Sequence, residues 1–134
     1  MEKTINTEFI LNITKIKKIT VEDGKSIVLV DSKEYGIVEI IFENVWDCRY
    51  TIENGIIDRG TSIIHEEKIK NSIYEVKESR YIDYFKKQVS GTRSIDKLKD
   101  YILYDEIETV FEVLTNDKPY LRKKEEDIWL IDVT

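Results

Sequence analysis

Few residues in this chain have the type and spacing to do chemistry. His65 is the only histidine, set in IIHEEK beside Glu66 and Glu67. An imidazole next to two carboxylates invites a metal or acid–base reading. However, there is no second histidine and no HExxH spacing, and the single cysteine, Cys48, falls on an apolar strand face. His65 therefore reads as a loop or surface residue. Ser90, in SGT, follows a helical pattern rather than a strand, so it forms no nucleophile elbow. The GTRS stretch holds one glycine, too few for a phosphate-cradling loop. No cofactor or metal site is expected. An enzyme using Asp47, Arg49 or His65 ranks last of three functional readings.

A denser constellation is electrostatic. Asp47, Arg49 and Glu53 alternate along one stretch, with Glu39 and Glu43 before them and Asp58 and Arg59 in the loop that follows. On a strand, alternate residues share a face about 7 Å apart. These seven positions then form a mainly acidic surface suited to a basic protein partner. The plainer reading is a solvated face laced with ion pairs worth less than about 1 kcal/mol each. Of eight tyrosines, Tyr74, Tyr81, Tyr84, Tyr101, Tyr104 and Tyr120 lie in the second half. Tyrosines suit protein recognition, and equally the edge of a core.

The element that must position this surface runs from Gly36 to Asn54, GIVEIIFENVWDCRYTIEN. Val38, Ile40, Phe42, Trp46, Cys48, Tyr50 and Ile52 alternate with the charged set, the pattern of a half-buried antiparallel strand. The stretch is too long for one ordinary strand. Asn44 interrupts the inward row, which predicts a bulge or bend near Glu43 to Val45. The reading is a bent central strand, or two successive ones.

Composition sets the frame. A chain of 134 residues is one domain with room for a single core. About one residue in six is Ile and Ala is absent, which favours sheet over helix. The net charge of −6 disfavours a nucleic-acid partner. A lone cysteine points to a reducing cytoplasm, and no segment has the apolar length to enter a membrane.

Taken in order, Phe9, Leu11 and Ile13 alternate, and Ile19 and Val21 resume after a slip at Ile16. Asp23-Gly24 predicts a hairpin turn into a strand at Ser26 to Val30. These strands and the organising stretch should lie side by side as a meander. Short strands are expected at Ile56-Ile57, Ile63-Ile64 and Ser72 to Val76. Ser79 to Gly91 reads as the one clear helix, capped by Ser79 and ended by Gly91, with Tyr81, Ile82, Tyr84, Phe85, Gln88 and Val89 inward. Asp100 to Thr115 predicts a hairpin turning at Asp105-Glu106, with Tyr104 opposite Ile107 and Ile102 opposite Thr109. Pro119 ends it, Arg122 to Asp127 is a solvated charge run, and Ile128 to Val133 is an apolar edge strand.

The order FENVWDCRYTIEN, NSIYEVKESRYIDYF and YILYDEIETVFEVLTNDKPYL, from Phe42 to Leu121, resembles small uncharacterised proteins of Gram-positive bacteria of the immunity-protein type. The shared features are structural, so the resemblance transfers no catalytic residue. Related chains often have a histidine where this one has Asp100. The resemblance implies a partner that is a secreted toxin.

These readings converge on an α+β domain: a mainly antiparallel, strongly bent sheet or partial barrel with one main helix packed on it. The first functional reading is a non-enzymatic cytoplasmic binding protein of the immunity type, neutralising a basic toxin through the acidic face. The second is a small-ligand binder with a pocket between Phe85, Trp46 and the sheet. A homodimer through the edge strand Ile128 to Val133 is also open.

Overall fold

The computed structural model describes residues 3–6, 11–52, 64–65, 72–89, 97–107, 109–125 and 128–132. The strands are β1 (Lys3–Asn6), β2 (Ile13–Glu22), β3 (Lys25–Ser32), β4 (Gly36–Phe42), β5 (Val45–Thr51) and β6 (Ile64–His65). They continue with β7 (Ile73–Lys77), β8 (Lys99–Tyr104), β9 (Val110–Thr115), β10 (Tyr120–Glu125) and β11 (Ile128–Asp132), and the helix α1 spans Arg80–Gln88. They form two sheets, ordered β5-β9-β8-β7-β1-β6 and β11-β10-β4-β3-β2. All pairings are antiparallel except β1 with β6. The α+β class is as expected, but the strands divide between two sheets, and neither is closed or strongly curled.

The meander β2–β3–β4 follows from its turns. Asp23 and Gly24 both take positive φ, 50° and 74°, as a two-residue hairpin of matching twist requires. At the next turn Ser32 Oγ accepts from Tyr35 N at 3.0 Å and donates to Gly36 O at 2.9 Å. Gly36, at φ 72°, lets the chain return as β4. The slip read at Ile16 is real: the β2–β3 register shifts between Ile13 and Lys15 and again between Ile16 and Lys18.

The organising stretch is two strands in different sheets. β4 is the middle strand of the five-stranded sheet, whereas β5 is the outermost strand of the other. The chain changes sheet at Glu43-Asn44, with Asn44 at φ 49°. Val45 N donates to Gly24 O at 2.8 Å there, pinning the crossing to the β2–β3 turn. A bulge between Val45 and Asp47 in the pairing with β9 resets the alternation. Val45 and Cys48 consequently pack on the core, while Trp46, expected inward, meets the helix ring of Phe85. Tyr50 and Ile52, also expected inward, are 58% and 60% exposed.

One core serves both sheets. Ile13, Ile16, Val28, Val30, Val38, Ile40, Phe42 and Leu121 meet Ile73, Tyr101, Leu103, Phe111 and Val113. Phe42 and Tyr101 face each other across it, ring centroids 5.9 Å apart. Burying each such aliphatic side chain stabilises by about 1.5–3 kcal/mol. Tyr74, Val76, Ile102, Tyr104 and Val110 form a second buried cluster from the alternate positions of the same strands.

The helix lies against β8 on that second face. Ser79 is its N-cap, accepting from Ile82 N at 3.0 Å, as expected. Its buried face is narrower than the predicted stripe: Tyr84 is exposed, and so is Gln88. Gly91 lies outside the described residues, as do Phe9, Ile56, Ile57 and Val133.

The β8–β9 hairpin corrects the predicted register. Tyr104 pairs with Val110 rather than Ile107, and Ile102 with Glu112 rather than Thr109. The cause is Asp105, whose carboxylate accepts from Ile107 N at 3.1 Å and Thr109 N at 2.7 Å, holding a wider loop than two residues. Most of the charge run after Arg122 proves to be strand, since β10 pairs with both β4 and β11. β11 is the outer strand of its sheet, as expected.

Candidate functional site

Of the seven residues read as one surface, the four that are described lie on strands of two different sheets and in the crossing between them. Glu39 sits on β4 in the five-stranded sheet, opposite Leu29 and Arg122. Glu43 is in the crossing, while Asp47 and Arg49 are on β5 in the other sheet. Glu53, Asp58 and Arg59 lie outside the described residues. Those that are described already have partners. Glu43 accepts from the Tyr120 hydroxyl at 3.1 Å and stands 3.5 Å from Lys25 Nζ. Burial, then the bond to Glu43, raises the Tyr120 hydroxyl above the ordinary tyrosine range.

Asp47 and Arg49 belong to a network that ties the helix to the sheet. The β5–β9 register sets Arg49 directly opposite Glu112, a cross-strand pair of opposite charge. Arg49 Nε and Nη2 both reach Glu112 Oε1, at 2.9 and 2.8 Å. The Glu112 side chain is 2% exposed, and that guanidinium is its cross-strand ion-pair partner. The Tyr81 ring lies 4.0 Å from the guanidinium carbon, in cation–π range. Tyr81 in turn donates its hydroxyl proton to Asp47 Oδ2 at 2.9 Å. Below it, Ser79 Oγ donates to the buried Asp100 at 2.5 Å.

Chemically this network is saturated. Burial first, and then the Asp47 carboxylate, push the Tyr81 hydroxyl well above the ordinary range, so it keeps its proton. Cys48 is likewise pushed up, by burial and then by Asp47, away from the reactive thiolate. Among the described residues no group of three or more His, Cys, Asp or Glu is placed to hold a metal. His65 lies on β6, paired through its backbone with Thr4. Trp46 and Phe85, predicted to flank a pocket, instead meet edge to face with centroids 6.2 Å apart. Trp46 Nε1 also donates to Asn116 Oδ1 at 2.5 Å.

The open space lies elsewhere, between the two sheets' outer strands. A groove of about 510 Å³ runs between Ile16, Lys17, Lys18, Ile19 and Val21 of β2 and Cys48, Arg49 and Tyr50 of β5, with Phe111 on its wall. Hydrogen bonds join the two sheets near either end of these strands. At one end Val45 N donates to Gly24 O; at the other Ile16 N donates to Asp105 Oδ2 at 2.9 Å, and Glu106 N to Thr14 O at 3.3 Å. β2 therefore runs from the Asp105 turn towards Gly24, and β5 runs the opposite way. Val21 and Tyr50 are exposed apolar groups on these two strands, and Ile52 is another just past β5.

Sequence reasoning missed Glu112, Tyr81 as an ionic partner, Asp105 and the groove itself. The one available signal was Arg49 on a strand whose neighbour carries the isolated Glu112 in VFEVL. No helix among the described residues is long and apolar enough to cross a membrane. Compared with protein-family models, curated proteins and solved structures, the chain finds no match.

Proposed function

We propose that this chain is a non-enzymatic binding protein of the immunity type, which docks a protein partner along β5 and the groove beside it. The observation that carries the reading is the state of β5. It is the outermost strand of its sheet among the described residues, and Tyr50 near its end and Ile52 just past it stand 58% and 60% exposed. Large apolar groups beside an open groove are the usual material of a protein contact. The network behind them holds the strand rigid, which lowers the entropy lost on docking. The finer architectural reading, a partial barrel, rests on the same place: β2 and β5 face each other across the groove as the two lips of an incomplete closure.

The basic-toxin reading retains one support. A net charge of −6 steers a cationic partner from a distance, although Glu39 and Asp47 lie in different sheets. The test is a binding titration with recombinant products of neighbouring genes. Tyr50→Asp combined with Ile52→Asp should weaken a stoichiometric complex by about thirtyfold or more. Glu43→Lys with Asp47→Lys should chiefly slow association. A partner indifferent to the first pair refutes docking at β5.

A further inference from the structure

Building on that docking site, we infer that the groove takes an extended segment of the partner as an added strand on β5, and that this segment carries carboxylates among apolar side chains. The two lips differ in how they treat an incoming strand. β2 is guarded by two register shifts and by Lys15, Lys17 and Lys18, the devices that blunt an edge. β5 has one register shift, at its start, and pairs regularly with β9 from Asp47 to Thr51. It carries no lysine or proline, and its two charged side chains are committed to Tyr81 and Glu112. The edge of β5, which has no second neighbour among the described residues, is therefore the competent template.

Size agrees with this. A strand residue occupies roughly 160 Å³, taking about 3.3 Å of rise, 4.8 Å to its neighbour and 10 Å of thickness, so about 510 Å³ holds about three residues. Three residues of β5 line the groove. Charge decides the chemistry. The described lining includes Lys17, Lys18 and Arg49 and no carboxylate, an inversion on a chain of net charge −6. Arg49 is answered by Glu112 and Lys17 stands 3.9 Å from Asp31, whereas Lys18 has no ion pair among the described residues. A carboxylate on the added strand would meet Lys18, with apolar neighbours against Ile19 and Tyr50. A lysine-bearing segment would meet like charge.

The test is fluorescence anisotropy with a blocked, labelled hexapeptide of alternating glutamate and valine. Its controls are the lysine–valine peptide and a version with proline at the third position. The inference requires the glutamate peptide to bind at least about tenfold tighter than either control, and Lys18→Glu to remove its preference over the lysine peptide. Equal binding by the proline version excludes a backbone ladder. No binding at roughly 1 mM, or binding unchanged in Lys18→Glu, overturns the inference. If the full partner is lost on Tyr50→Asp yet is indifferent to Lys18→Glu, docking at β5 stands and the acidic strand fails.

Discussion

At the residue scale, two buried carboxylates hold partners that the sequence does not name. Asp105 is almost wholly buried and accepts from three backbone amides, those of Ile16, Ile107 and Thr109. Asp105→Ala should cost about 3 kcal/mol in urea unfolding, since two buried donors and a third, half-buried one lose their acceptor. Asp105→Asn, which retains one acceptor oxygen, should cost less. Glu112 is the second. Arg49→Met leaves its carboxylate buried without a cation and should cost about 2 kcal/mol, softened because the Arg49 side chain is 44% exposed. Combining Arg49→Met with Glu112→Gln should recover part of that loss in a double-mutant cycle. Arg49 and Asp47 were legible as charged strand residues, but not their partners. Pairing depends on register, and the β5–β9 register that sets Arg49 opposite Glu112 joins strands distant in sequence.

At the scale of elements, the alternation was legible where a strand has one wet face and one dry face. The meander, the slip at Ile16 and the change of direction near Asn44 were all readable for that reason. What periodicity does not carry is which sheet a strand joins, so β4 and β5 read as one bent strand or two successive ones, with no sign that they belong to different sheets. Their separation places Glu39 and Asp47 in different sheets. The helix was legible from its cap. Ser79 Oγ both accepts from Ile82 N and donates to buried Asp100. Ser79→Ala should therefore cost about 2 kcal/mol, near the upper end of the usual cap loss. Ser79→Asp, normally an adequate cap, should not restore stability, because it sets a second carboxylate against Asp100. Thermal unfolding of the three proteins side by side separates these outcomes.

At the scale of the molecule, two sheets share one core, and the helix is held to the outer face of one of them by an ionic and aromatic network. That arrangement has a pH signature. The folded state holds the Tyr81 proton more tightly than the unfolded chain does. The unfolded chain releases it first, so this contribution is complete below the ordinary tyrosine value near 10 and declines as pH rises beyond it. Tyr81→Phe should lose about 1 kcal/mol at pH 7 and show a shallower fall in stability above pH 10, measured by urea unfolding across that range. The groove was not legible, because it is formed by strands distant in sequence whose edges meet only in the assembled pair of sheets. It is nonetheless where the functional reading rests. The most direct measurement is amide hydrogen exchange along Val45–Thr51, with and without a bound protein partner. The account predicts marked slowing of the β5 amides that do not pair with β9, with smaller changes on the outer strand β11. Slowing confined to β11, or to the helix, with β5 unchanged would contradict it.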